Sequence, residues 1–487
     1  MAVKNRFNNL TSKEWLPFQK SWFKDLELED LYKQYIRFFV KFDLEECPPN
    51  VYFHGNESRK IIFEKVARKI GAIIIDDLNK MQDEQKIQFA LVDTLQSVKN
   101  KEDSKYYVKH RNDFLNKCKL IKTKLIHRRF LVVFCKNYHT NKTYYPFSWD
   151  LSEALSEFLS LKDEKIWCID KNENYGRMLS TFETSNNINY CLHFRNDEKS
   201  GIKYGLFEKS NYYHNTKQQD SNHLEFKKKL GSWSVIRPKR RSKTEILHPA
   251  KYPEEIVKLF VEKLSNKGDN IFDPMSGTAS TQLGSLMLER NGYGCELSKF
   301  FAELSIKRLN EYINPSQTQI FVKDKKHLEF SILNKDARDI RKSDFPEIDY
   351  ILTSPPYWDM LNMAGAENQA KRKKKGLQTN YSESKSDLGN ISDYRLFISS
   401  LVEIYKNIVN ILKPGGFFTI IIKNIKKQGS NYPFAFDLGH LLQKDLILCQ
   451  EFFWLQDDIS IAPYGYGNTF VSNTFHQYCL TFQKPII

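Results

Sequence analysis

No apolar run in the 487-residue chain approaches the length needed to cross a bilayer, which is about 20 residues for a helix. The opening residues, Met1-Ala-Val-Lys-Asn-Arg-Phe, lack the apolar core of a secretory signal. The eight cysteines stand singly, with no Cys-x-x-Cys pair and no Cys/His spacing suited to zinc. A reduced, cytoplasmic protein with no metal and no membrane partner is the expectation. Two nucleotide signatures are also missing. There is no Gly-x-Gly-x-x-Gly of dinucleotide folds and no Gly-Lys-Ser/Thr of a P-loop, which counts against hydride and phosphoryl transfer. What is present is length for two cores, 14% aromatic residues to fill them, and a net charge of +15. Such an excess suits a polyanionic partner, since each neutralised phosphate releases counterions.

The basic residues are clustered. One group is Lys227, Lys228 and Lys229 with Arg237, Lys239, Arg240, Arg241 and Lys243; another is Lys371, Arg372, Lys373, Lys374 and Lys375. A lysine run is ordinarily a solvated face. Two such runs beside a candidate site make a nucleic-acid contact through Lys239, Arg240, Arg241, Lys371, Arg372 and Lys373 the sharper reading.

From Tyr252 the chain reads as a helix, opened by Pro253-Glu-Glu, with Ile256, Leu259, Phe260 and Leu264 at helical spacing. A short strand, Ile271-Phe272, then enters Asp273-Pro274-Met275-Ser-Gly277-Thr278-Ala-Ser-Thr, followed by an amphipathic helix over 282–290. That is the first strand–turn–helix of a doubly wound sheet, where ligands lie beyond the carboxyl ends of the strands. The next strand, Tyr293-Gly-Cys, ends in Glu296 and Leu297. A carboxylate there can accept both hydroxyls of an adenosine ribose. A third strand-like stretch, 329–333, precedes Asp336 and Ala337, where Asp336 can accept from an adenine amino group. Each piece alone reads as an ordinary turn or surface acid. In this order they point to a nucleoside-bearing cofactor.

Ile348-Asp-Tyr-Ile-Leu runs straight into Thr353-Ser354-Pro355-Pro356-Tyr357-Trp358. Two consecutive prolines hold the backbone extended and remove two N–H donors. A rim of carbonyl acceptors, a serine hydroxyl and an aromatic face remain. They suit a flipped-out base: its amino group donates to Ser354 and to the Pro355 carbonyl while Tyr357 stacks on the ring. Without further context, Pro-Pro would simply end an edge strand.

Asp-Pro-x-x-Gly followed downstream by Thr-Ser-Pro-Pro-Tyr resembles the amino-methylating DNA methyltransferases of the N4-cytosine and N6-adenine group. His248-Pro249-Ala-Lys-Tyr252-Pro253 resembles the segment lining the methionine side of the cofactor there, and Leu412-Lys-Pro-Gly-Gly with its following strand also matches. The resemblance spans roughly 231–485. It implies a Rossmann-like α/β domain with a mostly parallel sheet, which the chain's internal repeat makes one of a tandem pair, and S-adenosylmethionine as cofactor. It implies cofactor contacts from His248, Pro249, Tyr252, Asp273, Pro274, Met275, Gly277, Thr278, Glu296, Leu297, Asp336, Ala337 and Thr353. The catalytic set it implies is Ser354, Pro355, Pro356 and Tyr357, with Trp358 near the nucleic acid. Two departures stand in the turn, where Met275 replaces phenylalanine and Ala279 replaces glycine. Ser-Pro-Pro-Tyr is the variant associated more with cytosine N4 than with adenine N6. Cytosine C5 chemistry is disfavoured, because it needs an attacking thiolate, typically in Pro-Cys, and no Pro-Cys occurs. The implied partner is double-stranded DNA, and the implied setting is bacterial restriction-modification, with a cognate nuclease or defence subunit. Adenine-N6 or RNA methylation is the alternative within this chemistry, and a non-catalytic DNA-binding subunit is the alternative outside it.

The first half repeats the second. FLVVFCKNYHTNKTYYPFSWDL at 130–151 matches FFTIIIKNIKKQGSNYPFAFDL at 417–438 in eight of 22 positions. Aligned backwards, Asp93-Thr-Leu-Gln96 falls on Ser354-Pro-Pro-Tyr357. We therefore expect a degenerate methyltransferase-like domain at 1–200, a basic linker at 201–246 and a catalytic domain at 247–487, the repeats forming an intramolecular pseudo-dimer. A polar, basic loop is expected at 362–392.

Overall fold

Alternating apolar stretches and amphipathic helices build two parallel-rich sheets, as the sequence leads one to expect of an α/β chain. The computed structural model describes residues 5–95, 104–139, 144–169, 187–197, 231–237, 252–314, 327–359, 387–427, 430–458 and 474–486. By contact the chain divides into two units. The first is Met1–Ser221 with Lys426–Pro433 and Asp457–His476, and the second is Asn222–Ile425 with Phe434–Gln456 and Gln477–Ile487.

In the first unit the sheet strands are β1 (Trp22–Lys24), β2 (Asn50–His54), β3 (Ile73–Ile75), β4 (Ile87–Asp93), β5 (Leu125–Cys135), β6 (Ser160–Cys168) and β7 (Ile188–Arg195). Their order is β1-β6-β7-β5-β4-β2-β3. Helices α1 (Leu28–Phe39), α2 (Glu57–Lys69), α3 (Ser104–Lys124) and α4 (Phe147–Ser156) connect them. Its core is unusually aromatic, with Trp15, Tyr32, Tyr35, Phe38, Phe39, Phe63 and Phe89 all buried. Strands β4 and β2 are buried along nearly their whole length, which explains why they read as continuous apolar runs.

The second unit carries β8 (Trp233–Val235), β9 (Asn270–Asp273), β10 (Asn291–Glu296), β11 (Phe330–Asn334), β12 (Ile348–Thr353), β13 (Leu412–Ile422), β14 (Ile447–Leu455) and β15 (His476–Gln483). Their order is β8-β14-β15-β13-β12-β9-β10-β11. Helices α5 (Glu254–Leu264), α6 (Ser280–Met287), α7 (Lys299–Ile313), α8 (Tyr394–Val409) and α9 (Phe434–Leu442) complete it. One buried cluster joins α5 to β9, β12 and β14, and another joins α6 and α7 to Ile332 of β11. Strand β8 lies inside the stretch read from sequence as a linker. It pairs in parallel with β14, and Trp454 Nε1 donates to the Ile236 carbonyl.

The two sheets share their topology. β1, β6, β7, β5, β4, β2 and β3 correspond in order to β8, β14, β15, β13, β12, β9 and β10, and β11 is an addition of the second unit. The same ladder irregularity recurs: β4 and β5 shift register between Ile87 and Phe89, and β12 and β13 between Ile348 and Tyr350. In both places the partner strand skips five positions, Leu125 to Phe130 and Leu412 to Phe417. Among the described residues no helix is long and apolar enough to cross a membrane, and no cluster of three metal-binding side chains occurs.

Candidate cofactor and base-binding site

The β9 strand delivers Asp273 to its carboxyl end, fully buried. Two donors meet each of its oxygens. Met275 N (3.0 Å) and Thr353 Oγ1 (2.7 Å) reach Oδ1, while Tyr252 Oη (2.6 Å) and Thr281 Oγ1 (3.1 Å) reach Oδ2. A carboxylate has about four acceptor positions, so its capacity is used. Burial pushes its pKa up, and the four donors pull it back down without cancelling the rise. Asp273 thus ties the turn, α6, β12 and the segment before α5 together. Tyr252, Asp273 and Thr353, expected at the cofactor, engage one another and hold the turn from beneath. Thr281 completes the cluster; sequence reading missed it, because a threonine in a helical first turn gives no signal of its own.

The turn is built from small residues for steric reasons. A Cβ on Gly294 would collide with Ser276 Oγ and Gln282 Nε2. Gln282 donates to Ser276 Oγ and to the Tyr293 carbonyl, fastening the turn to β10. Gly277 sits at φ 54° and Ala279 at φ 60°. Both are left-handed, a region costing a residue with a Cβ roughly 1–2 kcal/mol. Alanine at 279 carries that strain where glycine would not. Pro274 is buried and Met275 half-buried.

Glu296 ends β10. Its Oε2 accepts from Gly277 N and its Oε1 from Ser298 N, each at 2.8 Å. One acceptor position is left on each oxygen, the arrangement a vicinal diol requires. Burial raises its carboxyl pKa to about 7, against the pull of the two N–H donors. Beside it, Asn334 Nδ2 holds the Glu296 and Leu297 carbonyls. Asp336 caps a short helical turn, with Oδ1 accepting from Arg338 N at 3.0 Å, and Ala337 is buried next to it.

The β12 strand, next to β9 in the sheet, ends at Thr353 and releases Ser354, Pro355, Pro356 and Tyr357. Ser354 and Tyr357 are half-buried and Pro355 is buried. The Tyr357 hydroxyl donates to Gln477 Oε1 at 2.9 Å, and Lys423 Nζ lies 5.1 Å from the ring centroid. Desolvation keeps the phenol protonated well above its ordinary range. Trp358, expected to face nucleic acid, is instead only 3% exposed and packs edge-on against Tyr394 at 5.2 Å. Its apolar ring gains more from that contact than from water, so it forms a wall of the loop. His248, Pro249, Lys239, Arg240, Arg241, Lys371, Arg372 and Lys373 lie outside the described residues, as does the 362–392 loop except for its last six residues.

Pairing register places the first unit's residues in the same frame. Phe53 stands where Asp273 stands and Asp93 where Ser354 stands. Counting on from the β2–β3 pairs, Leu78 takes the position of Glu296. The Phe53 ring fills the space under the turn, 2.8 Å from where a Cβ on Gly55 would lie. The Asp93 carboxylate is buried against Arg59 Nη1 (2.5 Å), Tyr32 Oη (3.1 Å) and Leu95 N (3.0 Å). Thr94 Oγ1 bonds the Phe134 carbonyl.

A family model for the N6/N4 type of DNA methylase matches residues 4–307, well over half of the chain. The chain belongs to that DNA methylase family. The matched residues take in most of the first unit, the Asp273 turn and Glu296. Over 92 residues this methylase is 30% identical to the orphan methyltransferase M.BamHII of Bacillus amyloliquefaciens, a stretch covering 18% of this chain and 35% of that one. It is 33% identical over 82 residues to the type II methyltransferase M2.MboI of Moraxella bovis, covering 17% and 27%. The matched stretches thus span about a third of these relatives' length. Among solved structures, an rRNA methylase from Streptococcus thermophilus is similar at 11% identity and a TM-score of 0.27, over 48% of this chain and 98% of that one. S-adenosylmethionine is the cofactor of this family, and the residues present fit it. Glu296 keeps two acceptor positions for a diol. The hydroxyls of Thr278 and Ser280, buried beside the turn, have no protein partner among the described residues, as befits donors for a ligand carboxylate.

Proposed function

We propose that this methylase transfers a methyl group to the exocyclic amino group of a flipped-out DNA base, cytosine N4 ahead of adenine N6. The observation that carries the reading is the Ser354-Pro355-Pro356-Tyr357 loop at the carboxyl end of β12, one strand from the Asp273 turn. Glu296, Thr278 and Ser280 would hold the cofactor's ribose and carboxylate, with Asp336 for its adenine. The bound cofactor supplies an electrophilic methyl group on a sulfonium.

The chain's own part is orientation. An amino nitrogen conjugated to a ring is a weak nucleophile. When both N–H bonds point into acceptors, Ser354 Oγ and the Pro355 carbonyl, the lone pair turns out of the ring plane toward the methyl. Fixed geometry of this kind supplies much of a rate enhancement. Tyr357 gives the ring a stacking face, worth about 1–3 kcal/mol per base. Neither loop acceptor takes up a proton at neutral pH, so the proton shed by nitrogen passes to water. The lean to cytosine rests on a serine, not a carboxylate, heading the loop. We further infer that the first unit is non-catalytic, since Phe53, Leu78 and Asp93 stand where Asp273, Glu296 and Ser354 are needed. Double-stranded DNA is the proposed substrate, with the basic stretches gripping phosphates. A host-marking role beside a cognate nuclease is the proposed setting, supported by the type II relative.

The test is expression in a methylation-free bacterial host, followed by modification-sensitive sequencing of its DNA. N4-methylcytosine in a defined motif supports the full reading. N6-methyladenine keeps the mechanism and overturns the base assignment. No mark in DNA with cofactor binding intact argues for RNA as substrate or for a missing partner, and no mark with no cofactor binding argues for a binding-only subunit.

A further inference from the structure

The ladder between β13 and β15 runs antiparallel from Phe417↔Gln483 to Ile422↔Tyr478. One step further it sets Lys423 opposite Gln477. Both of these residues touch Tyr357, which also meets the Ser354 side chain. Gln477 Oε1 accepts the phenol hydrogen at 2.9 Å, and the Lys423 ammonium lies over the ring. Tyr357 belongs to a loop whose preceding prolines leave its backbone few hydrogen bonds, so its ring needs fixing by side chains. A hydroxyl anchor sets the tilt of the ring, and a cation on one face leaves the opposite face for a planar partner. Gln477 Nε2 has no partner among the described residues, which leaves an amide donor beside the ring.

We infer that Gln477 and Lys423 are positioning residues for the target base, clamping Tyr357 by its hydroxyl and by one face so that the base stacks on the other. This rests on the reading that Tyr357 is the stacking ring. The first unit carries Lys136 and Asn189 at the equivalent register, but Gln96 stands at the position of the ring in the sequence alignment. The pair was invisible in the sequence, since 54 residues separate Lys423 from Gln477 and only the strand ladder brings them together.

The test uses the full-length chain, tritiated S-adenosylmethionine and DNA from a methylation-free host. Rate at saturation, half-saturating cofactor and filter retention of the same DNA are measured. Gln477→Leu and Tyr357→Phe are each expected to lower the saturated rate about fivefold, the weight of one hydrogen bond, with cofactor half-saturation and DNA retention unchanged. The double variant should lose no more than Tyr357→Phe alone, since removing the hydroxyl already removes its bond to Gln477. Gln477→Glu, which keeps an acceptor, should lose less than Gln477→Leu. Lys423→Leu should lose about threefold and Lys423→Arg less, because arginine keeps a cation on the ring. Losses that multiply in the Tyr357→Phe, Gln477→Leu double variant, or a full rate in Gln477→Leu, overturn the clamp. Tyr357→Ala separates the two levels. If it abolishes turnover while Gln477→Leu is silent, the clamp alone fails; if it retains turnover, the stacking reading falls and the clamp with it.

Discussion

The two units have the same strand order and the same ladder irregularity, yet they treat the ends of their central strands in opposite ways. In the second, a buried carboxylate on β9 is saturated by four donors, so the turn is held open over Gly277 while Glu296 keeps acceptor positions in reserve. In the first, an aromatic ring stands at that β9 position, and the buried carboxylate has moved to Asp93, where Arg59 and Tyr32 consume it. The lesson is that a fold can keep its hydrogen-bonded frame while exchanging a ligand cradle for internal packing. Filling the cradle with Phe53 and pairing Asp93 with Arg59 leaves no open acceptor there for a ligand, in place of the unmet polar groups that make an open site costly to stability.

The largest effect expected from this contrast is on stability. Arg59→Met leaves Asp93 buried without its cation and should cost about 3–5 kcal/mol, whereas Arg59→Met with Asp93→Leu should regain most of it. Urea unfolding of the full chain reads both, and a single variant as stable as the parent would break the contrast. Next, Tyr357→Ala should lower turnover about 100-fold, the upper end of a lost stacking contact, while Thr94→Ala, at the place of Pro355 in the first unit, leaves it unchanged. A large loss with Thr94→Ala would make the first unit catalytic after all. Calorimetric titration should also give a single equivalent of S-adenosylmethionine per chain, and a second would show an open cradle in the first unit.

A pH effect follows from Glu296. Its folded pKa, near 7, lies above the ordinary carboxyl value of 4.5. The folded chain therefore holds a proton that the unfolded chain releases, so this group favours the fold below pH 4.5 and disfavours it progressively as pH rises through 7. A diol needs the ionised form, so cofactor affinity should climb with pH up to about 7, by at most about tenfold per unit. Glu296→Gln should flatten that profile; an unchanged profile would remove Glu296 from the ribose site. The smallest effect is expected at Ala279, where Ala279→Gly should raise stability by about 1 kcal/mol through relief of the φ 60° backbone. A loss of stability there would mean that the methyl group's packing outweighs the strain.

Much of the site was legible beforehand because each feature is local. Asp-Pro followed by small residues, an acid closing a strand, and two prolines after an apolar run are all readable from neighbours in the chain. Even the repeat was visible, and the register at Phe89 and Tyr350 agrees with the alignment of Asp93 on Ser354. What could not be read was how side chains spend their hydrogen bonds. Tyr252, Asp273 and Thr353 read as cofactor contacts, but they lie 21 and 80 residues apart and satisfy one another. Trp358 read as a residue near the nucleic acid, and it packs on Tyr394 from a helix that begins beyond a long intervening segment.

The sequence alone therefore determined the class of fold, the family and the order of its candidate cofactor and base-binding segments, because backbone rules and short motifs act within a few residues. Only the tertiary structure decided which polar groups remain available. Asp273 is used up and Glu296 is not, Asp93 is locked to Arg59, and Gln477 meets Tyr357 across 120 residues. Availability depends on which donors and acceptors folding brings within about 3 Å of one another, and that is settled by long-range pairing.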